Sequence, residues 1–255
     1  MREITLLDLL KNGVHFGHQK SHRHPKMEPN IFTVRNGVHI INLEKTLEKL
    51  IEALEFIRKT AQEGGQLLFL GTKRQAKEII KKHAQSCGMP YLTERWLGGL
   101  FTNFTNVSRL QKKLKKFEEE KQSGELEKYT KKERSKFEKE IEKLDRLVGG
   151  IKEMHSLPNA IFVVDIREEK TAIREASKKN VPIVAMVDTN TNPDPINYVI
   201  PANDDATKSI EFITGLVAEA VNEGKMQVKQ NHSEDKKSKE ATVKVIINQP
   251  VDTNK

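Results

Sequence analysis

A single cysteine, Cys87, in 255 residues excludes an intramolecular disulfide framework and suits a reducing compartment. Long apolar runs are missing too: no stretch approaches the roughly 18 consecutive apolar residues of a membrane span. The opening Met1-Arg2-Glu3-Ile4-Thr5 lacks the apolar core of a signal peptide, so a cytoplasmic protein with no membrane partner is expected. Neither G-x-x-x-x-G-K-[ST] nor G-x-G-x-x-G occurs, which removes the usual nucleotide fingerprints, and no Gly-x-Ser-x-Gly elbow is present. Hydrophobic content is low at 36%, while charged residues reach 31% with a net charge of +8. An excess of Lys and Arg favours a polyanionic partner, RNA or DNA, over a small neutral substrate.

What is present is organised around Gln66-Leu67-Leu68-Phe69-Leu70-Gly71-Thr72-Lys73-Arg74. The apolar run reads as a strand buried on both faces, as parallel strands beneath helices are. A helix is expected from about Lys73 to Ser86. Strand, glycine turn and helix N-terminus offer backbone N–H groups to an anion, with Lys73 and Arg74 beside them; the same pattern also suits an ordinary βα loop. Further strands are expected at Met89–Leu92, Ala160–Asp165, Pro182–Asp188 and Tyr198–Ile200, with helices near Glu168–Lys179 and Asp205–Glu223. Strand alternating with helix means an α/β fold with a parallel sheet.

Around that core the sequence predicts three additions. Residues 1–42 hold a short helix ending at Asn12-Gly13, a basic arm, and a hairpin turning at Asn36-Gly37, a pair suited to the positive φ values of a type I′ turn. A helix from about Leu43 to Gln62 then leads into the sheet domain, which occupies 43–105 and 151–223. Within 106–150, Val107, Leu110, Leu114 and Phe117, then Phe137, Ile141, Leu144 and Val148, recur 3 or 4 apart, with Ser123-Gly124 between the two runs. These are the seams of an antiparallel coiled-coil hairpin. The basic tail 224–255, with Lys236-Lys237-Ser238-Lys239 and an apolar patch at Val243–Ile247, is expected to be disordered in the free protein.

Contacts to phosphate are expected from His15, His18, Lys20, Arg23 and Lys26 in the arm, from Lys73 and Arg74 at the turn, and from Arg109, Lys112 and Lys113 on the hairpin. In Glu94-Arg95-Trp96-Leu97-Gly98-Gly99-Leu100-Phe101-Thr102-Asn103-Phe104, Arg95 and Asn103 suit RNA contact, whereas Trp96 equally suits a plug into the core. His15, His18, His22 and His24 offer metal-ligand nitrogens, but their spacing matches no zinc signature and no cysteine is near, so a basic loop lying on phosphate is preferred. Asp165 and Asp188 end strands, where either catalytic carboxylates or turn-stabilising ones sit; turn chemistry is the better account.

Taken in order, the motifs resemble the bacterial small-subunit ribosomal protein S-two family. They are Gly13-Val14-His15-Phe16-Gly17-His18, Asn30-Ile31-Phe32 with Val38–Thr46, Phe69–Arg74, Arg95-Trp96-Leu97-Gly98-Gly99 with Thr102-Asn103, Leu147–Lys152, Val187–Asn190, and Ile200–Ala206. The resemblance implies a flavodoxin-like, five-stranded parallel sheet flanked by helices, with the coiled-coil hairpin inserted and the arm and β-hairpin at the N-terminus. It also implies a non-enzymatic component of the small subunit, near the neck on its solvent side, without a cofactor. Its implied partners are small-subunit ribosomal RNA and neighbouring ribosomal proteins, including the large RNA-binding ribosomal protein one. The sequence departs from the family at Ser21-His22-Arg23-His24, which makes the arm more basic.

Overall fold

The computed structural model describes residues 4–124 and 128–247, with side chains described as far as residue 227. A short helix, α1 (Leu6–Lys11), opens with a capping box: the Thr5 hydroxyl accepts from the Asp8 N–H, and the Asp8 carboxylate accepts from the Thr5 N–H. Strands β1 (Phe16–Gln19), β2 (Ile31–Arg35) and β3 (Val38–Ile41) then form a small antiparallel sheet in the order β1-β3-β2. Asn36 and Gly37 carry φ values of 52° and 77°, as the hairpin turn requires. Part of the arm expected as a basic loop is therefore a strand, β1, paired to β3. Its Phe-Gly-His-Gln sequence has no apolar alternation to announce it, since it is fixed by neighbours distant in sequence.

Helix α2 (Leu43–Gln62) starts on Asn42, whose side chain accepts from the Glu44 and Lys45 N–H groups. The parallel sheet follows as β4 (Leu67–Leu70), α3 (Lys77–Ser86) and β5 (Tyr91–Leu92). The hairpin helices α4 (Phe104–Gln122) and α5 (Lys131–Val148) interrupt it. It resumes with β6 (Ala160–Val164), α6 (Lys170–Lys178), β7 (Ile183–Val187) and β8 (Tyr198–Pro201), and α7 (Thr207–Ile247) closes it. The strand order β5-β4-β6-β7-β8, parallel throughout, is the flavodoxin-like arrangement.

Alternation along the strands explains why Leu67–Leu70 is wholly buried. Leu67 and Phe69, with Phe162, Val164, Val184 and Met186, pack beneath α2, α3 and α7. Leu68 and Leu70, with Ile161, Val163, Ile183 and Ala185, pack beneath α6 and the base of the hairpin. In the hairpin, Val107 and Leu114 on α4 and Leu144 and Val148 on α5 are buried, and Phe117 meets Phe137 edge to face with centroids 5.8 Å apart. Gln111, an amide within that seam, donates to the carbonyls of Ile151 and Met154 and ties the hairpin to the segment that re-enters the sheet.

Two boundaries differ from expectation. Helix α3 starts at Lys77 rather than near Lys73, because a bend at Lys73 and a turn over residues 74–76 precede it. Helix α7 continues to Ile247 instead of ending near Glu223. Gly224 does not terminate it; a Cβ there would come within 2.4 Å of the Arg58 carbonyl, so this glycine lets α7 cross close to α2. A glycine inside a helix costs only about 1 kcal/mol, and no proline follows until residue 250. Of the tail, residues 248–255 lie outside the described residues.

Candidate functional site

The switch point of a doubly wound sheet lies outside the carboxyl ends of its central strands, here β4 and β6. Residues 71–74 leave β4 there, Asp165 leaves β6, Asp188 leaves β7, and Asp204 and Asp205 follow β8. Each strand end thus delivers polar groups to one small volume. Lys73 Nζ lies 3.1 Å from Asp165, 2.9 Å from Asp204 and 2.7 Å from Asp205. His18, brought in by β1, places Nδ1 3.1 Å from Asp188 and Nε2 3.3 Å from Asp205. β1 can lie here because Gly17 has no side chain: a Cβ would come within 2.6 Å of the Thr189 methyl. The Thr189 hydroxyl in turn accepts from the His18 N–H at 2.9 Å.

These contacts answer the expectation of an anion site at the turn. The Thr72 N–H is taken by Glu169 Oε1 at 3.0 Å, the Lys73 ammonium faces three carboxylates, and Lys73 is only 16% exposed. Burial pushes the Lys73 ammonium's pKa down, but Asp204, Asp205 and Asp165 outweigh it and hold the pKa above the usual lysine value. Burial, reinforced by Asp165 and Asp188, lifts the Asp204 carboxyl to about 7 despite Lys73 beside it. The hydrogen bond to Asp188 raises His18 against the opposing effect of burial. The Thr72 N–H and the Lys73 ammonium are therefore engaged within the chain, while Arg74 on the same turn stays exposed.

Asp165 and Asp188 do the turn chemistry expected of them. Asp165, at φ 67°, accepts from the Arg167 and Glu168 N–H groups, and Asp188 accepts from the Thr189 N–H and hydroxyl. His18, Asp188, Asp204 and Asp205 each offer a ligand atom, all within 4.8 Å of one another. One imidazole with three carboxylates is a donor set that a divalent cation accepts. The four arm histidines do not form such a group. His15 packs on Phe16 with ring centroids 4.0 Å apart, and burial lowers its pKa; His22 and His24 line a different cleft.

The second polar centre was not anticipated. Glu175 lies on the buried side of α6 beside Ala172 and Ala176, and organises the whole 96–102 loop. One carboxylate oxygen accepts from Trp96 Nε1 at 3.2 Å and the Gly99 N–H at 2.7 Å. The other accepts from the Phe101 and Thr102 N–H groups at 3.0 and 3.2 Å and from the Thr102 hydroxyl at 3.3 Å. Burial pushes Glu175 up, yet those donors outweigh it and leave the carboxyl below its ordinary value. Trp96 is therefore a core plug, packed edge to face on Phe101. The available signal was a carboxylate placed on the apolar face of a helix.

The remaining expected contacts fall into two groups. Arg23 pairs with Glu28 at 3.1 Å, Lys26 pairs with Asp194, and Lys113 pairs with Glu140 while lying over the Phe117 ring. Lys20, Arg74, Arg95, Asn103, Arg109 and Lys112 are exposed. Arg95 borders a small cleft with Thr72, Glu168 and Glu169, and Asn103 caps α4 by position without a side-chain hydrogen bond to it. Among the described residues, no helix is long and apolar enough to cross a membrane. In comparison with known families, residues 9–224 match the family described as ribosomal protein S2.

Proposed function

The chain belongs to the ribosomal protein S2 family, structural and non-enzymatic components of the small ribosomal subunit, and from that premise we propose how it holds its place there. It binds small-subunit ribosomal RNA through exposed, unpaired cations, and it helps seat neighbouring proteins, the large RNA-binding ribosomal protein one among them. The observation that carries this reading is the separation of charge just described. Carboxylates and their balancing cations occupy the strand ends, whereas Lys20, Arg74, Arg109 and Lys112 project to solvent, with Arg95 and Asn103 beside the loop held by Glu175.

Phosphate contacts of this kind position a protein without reading sequence, and each releases a counterion condensed on the RNA, so binding weakens as salt rises. Lys73, His18, Arg23, Lys26 and Lys113 serve instead as internal ties, and His15 packs on Phe16. The test is sedimentation of a tagged chain from cell lysate through a sucrose gradient. Co-migration with small subunits, lost on RNA digestion, is the expected result. A chain confined to the top of the gradient overturns the reading. In subunits assembled without the chain, the large RNA-binding protein one should be depleted.

A further inference from the structure

One basic region was absorbed neither by the motifs nor by the strand-end cluster. Between α6, the 190–195 segment after β7 and the arm residues 22–24 lies an open cleft of about 780 Å³. Its walls carry His22, His24, Arg167, Lys170 and Arg174, and no acidic residue lines it. Arg167, Lys170 and Arg174 follow one another at spacings of 3 and 4, so α6 and the residues leading into it present them along one face. Opposite them, Asn190 keeps a buried Oδ1 with no hydrogen-bond partner among the described residues. The floor is apolar, made by Ile166, Ile173 and Pro195. The nearest acid on that segment, Asp194, is already taken by Lys26.

We propose that this cleft receives one unstacked nucleotide of single-stranded RNA, an inference that rests on the RNA-binding reading above and specifies where that binding becomes local. Each part of a nucleotide has a matching wall. The guanidinium forks of Arg167 and Arg174 suit phosphate oxygens bidentately, with Lys170 as an additional point charge. The apolar floor and the His22 and His24 rings provide a surface on which a base lies flat, and splayed bases of loops and bulges are recognised by such stacking. A volume of this order lies within the range of small-ligand pockets and accommodates a nucleotide. An acidic peptide would also meet the cations, and it is the competing occupant that the experiment separates.

The experiment uses the full chain and fluorescence anisotropy with a short single-stranded ribo-oligomer, the same oligomer carrying one abasic site at its centre, and a mononucleotide. The oligomer should bind about tenfold more tightly than its abasic form, since stacking of one base is typically worth that or more. Lys170→Glu with Arg174→Glu should abolish that difference without changing the melting temperature, because both side chains are exposed. Ile173→Asn should weaken the base-bearing oligomer selectively; if it lowers the melting temperature, His22→Ala with His24→Ala replaces it as the stacking probe. Equal binding of the intact and abasic oligomers overturns the proposal and leaves a phosphate patch. A mononucleotide binding as tightly as the oligomer overturns RNA as the source, and an acidic peptide binding more tightly overturns RNA as the class. Wild-type chain that enters subunits while the cleft variants keep full oligomer affinity refutes the cleft alone; wild-type chain that never enters subunits refutes the RNA-binding reading instead.

Discussion

The carboxyl end of the parallel sheet and the outer faces of the chain both carry Lys, Arg and His, but in opposite electrical settings. At the strand ends, Lys73 and His18 face Asp165, Asp188, Asp204 and Asp205 at 2.7–3.3 Å. On the outer faces, Arg109 and Lys112 on α4 and Arg167, Lys170 and Arg174 beside and on α6 are exposed. A positive residue in a sequence is thus no measure of affinity for phosphate until its local partners are known. The first region pairs its charges with one another at the switch point, and the second leaves charge available for a polyanion.

The largest effects are expected in the interior. Glu175→Ala removes the acceptor for five donors around the 96–102 loop and should cost about 3 kcal/mol, read by urea unfolding. An undiminished midpoint would mean that the loop is held elsewhere. Lys73→Met leaves three carboxylates facing one another and should cost about 2 kcal/mol at pH 7. Its RNA affinity, measured where the variant is still folded, should stay at the wild-type level; a fall in affinity with stability intact would place Lys73 among the RNA contacts.

A smaller effect follows from Asp204. Its folded value of about 7 exceeds the ordinary 3.8, so the folded state favours the protonated acid. The stability it contributes is complete below pH 3.8 and is lost as pH rises through 7. His18, also raised, adds a loss of the same sign above its ordinary 6.5. Asp204→Asn should therefore melt close to wild type near pH 4 and a few degrees higher, about 3 °C, at pH 8. A gap that narrows as pH rises would contradict the direction of the shift. On the outer face, Arg109→Ala with Lys112→Ala should change stability by less than about 0.5 kcal/mol while lowering the salt slope of RNA binding by roughly 2. An unchanged slope would remove α4 from the interface.

Most of the architecture was legible because burial on two faces leaves a simple record. Leu67–Leu70 and the later apolar runs read as strands beneath helices, and the 3-and-4 spacings at Val107–Phe117 and Phe137–Val148 read as a paired seam. Strand β1 was not legible, since Gly17 and His18 are specified by Thr189 and Asp188 far along the chain. The pairing of Lys73 was hidden for the same reason: Asp165, Asp204 and Asp205 reach it only once three parallel strands are in register. Glu175 and the basic face of α6 did leave signals, respectively a carboxylate on an apolar helix face and cations spaced 3 and 4 apart. Both concern the side chain's orientation on its helix, which composition and motif matching do not weigh.

The separation of paired from available cations is tested most directly by lysine acetylation, read residue by residue by mass spectrometry, on the free protein and on assembled small subunits. The account predicts that Lys73 is slow in both states, while Lys20, Lys112 and Lys170 react freely in the isolated chain and become protected on assembly. Fast acetylation of Lys73 in the free protein, followed by protection in the subunit, would contradict it.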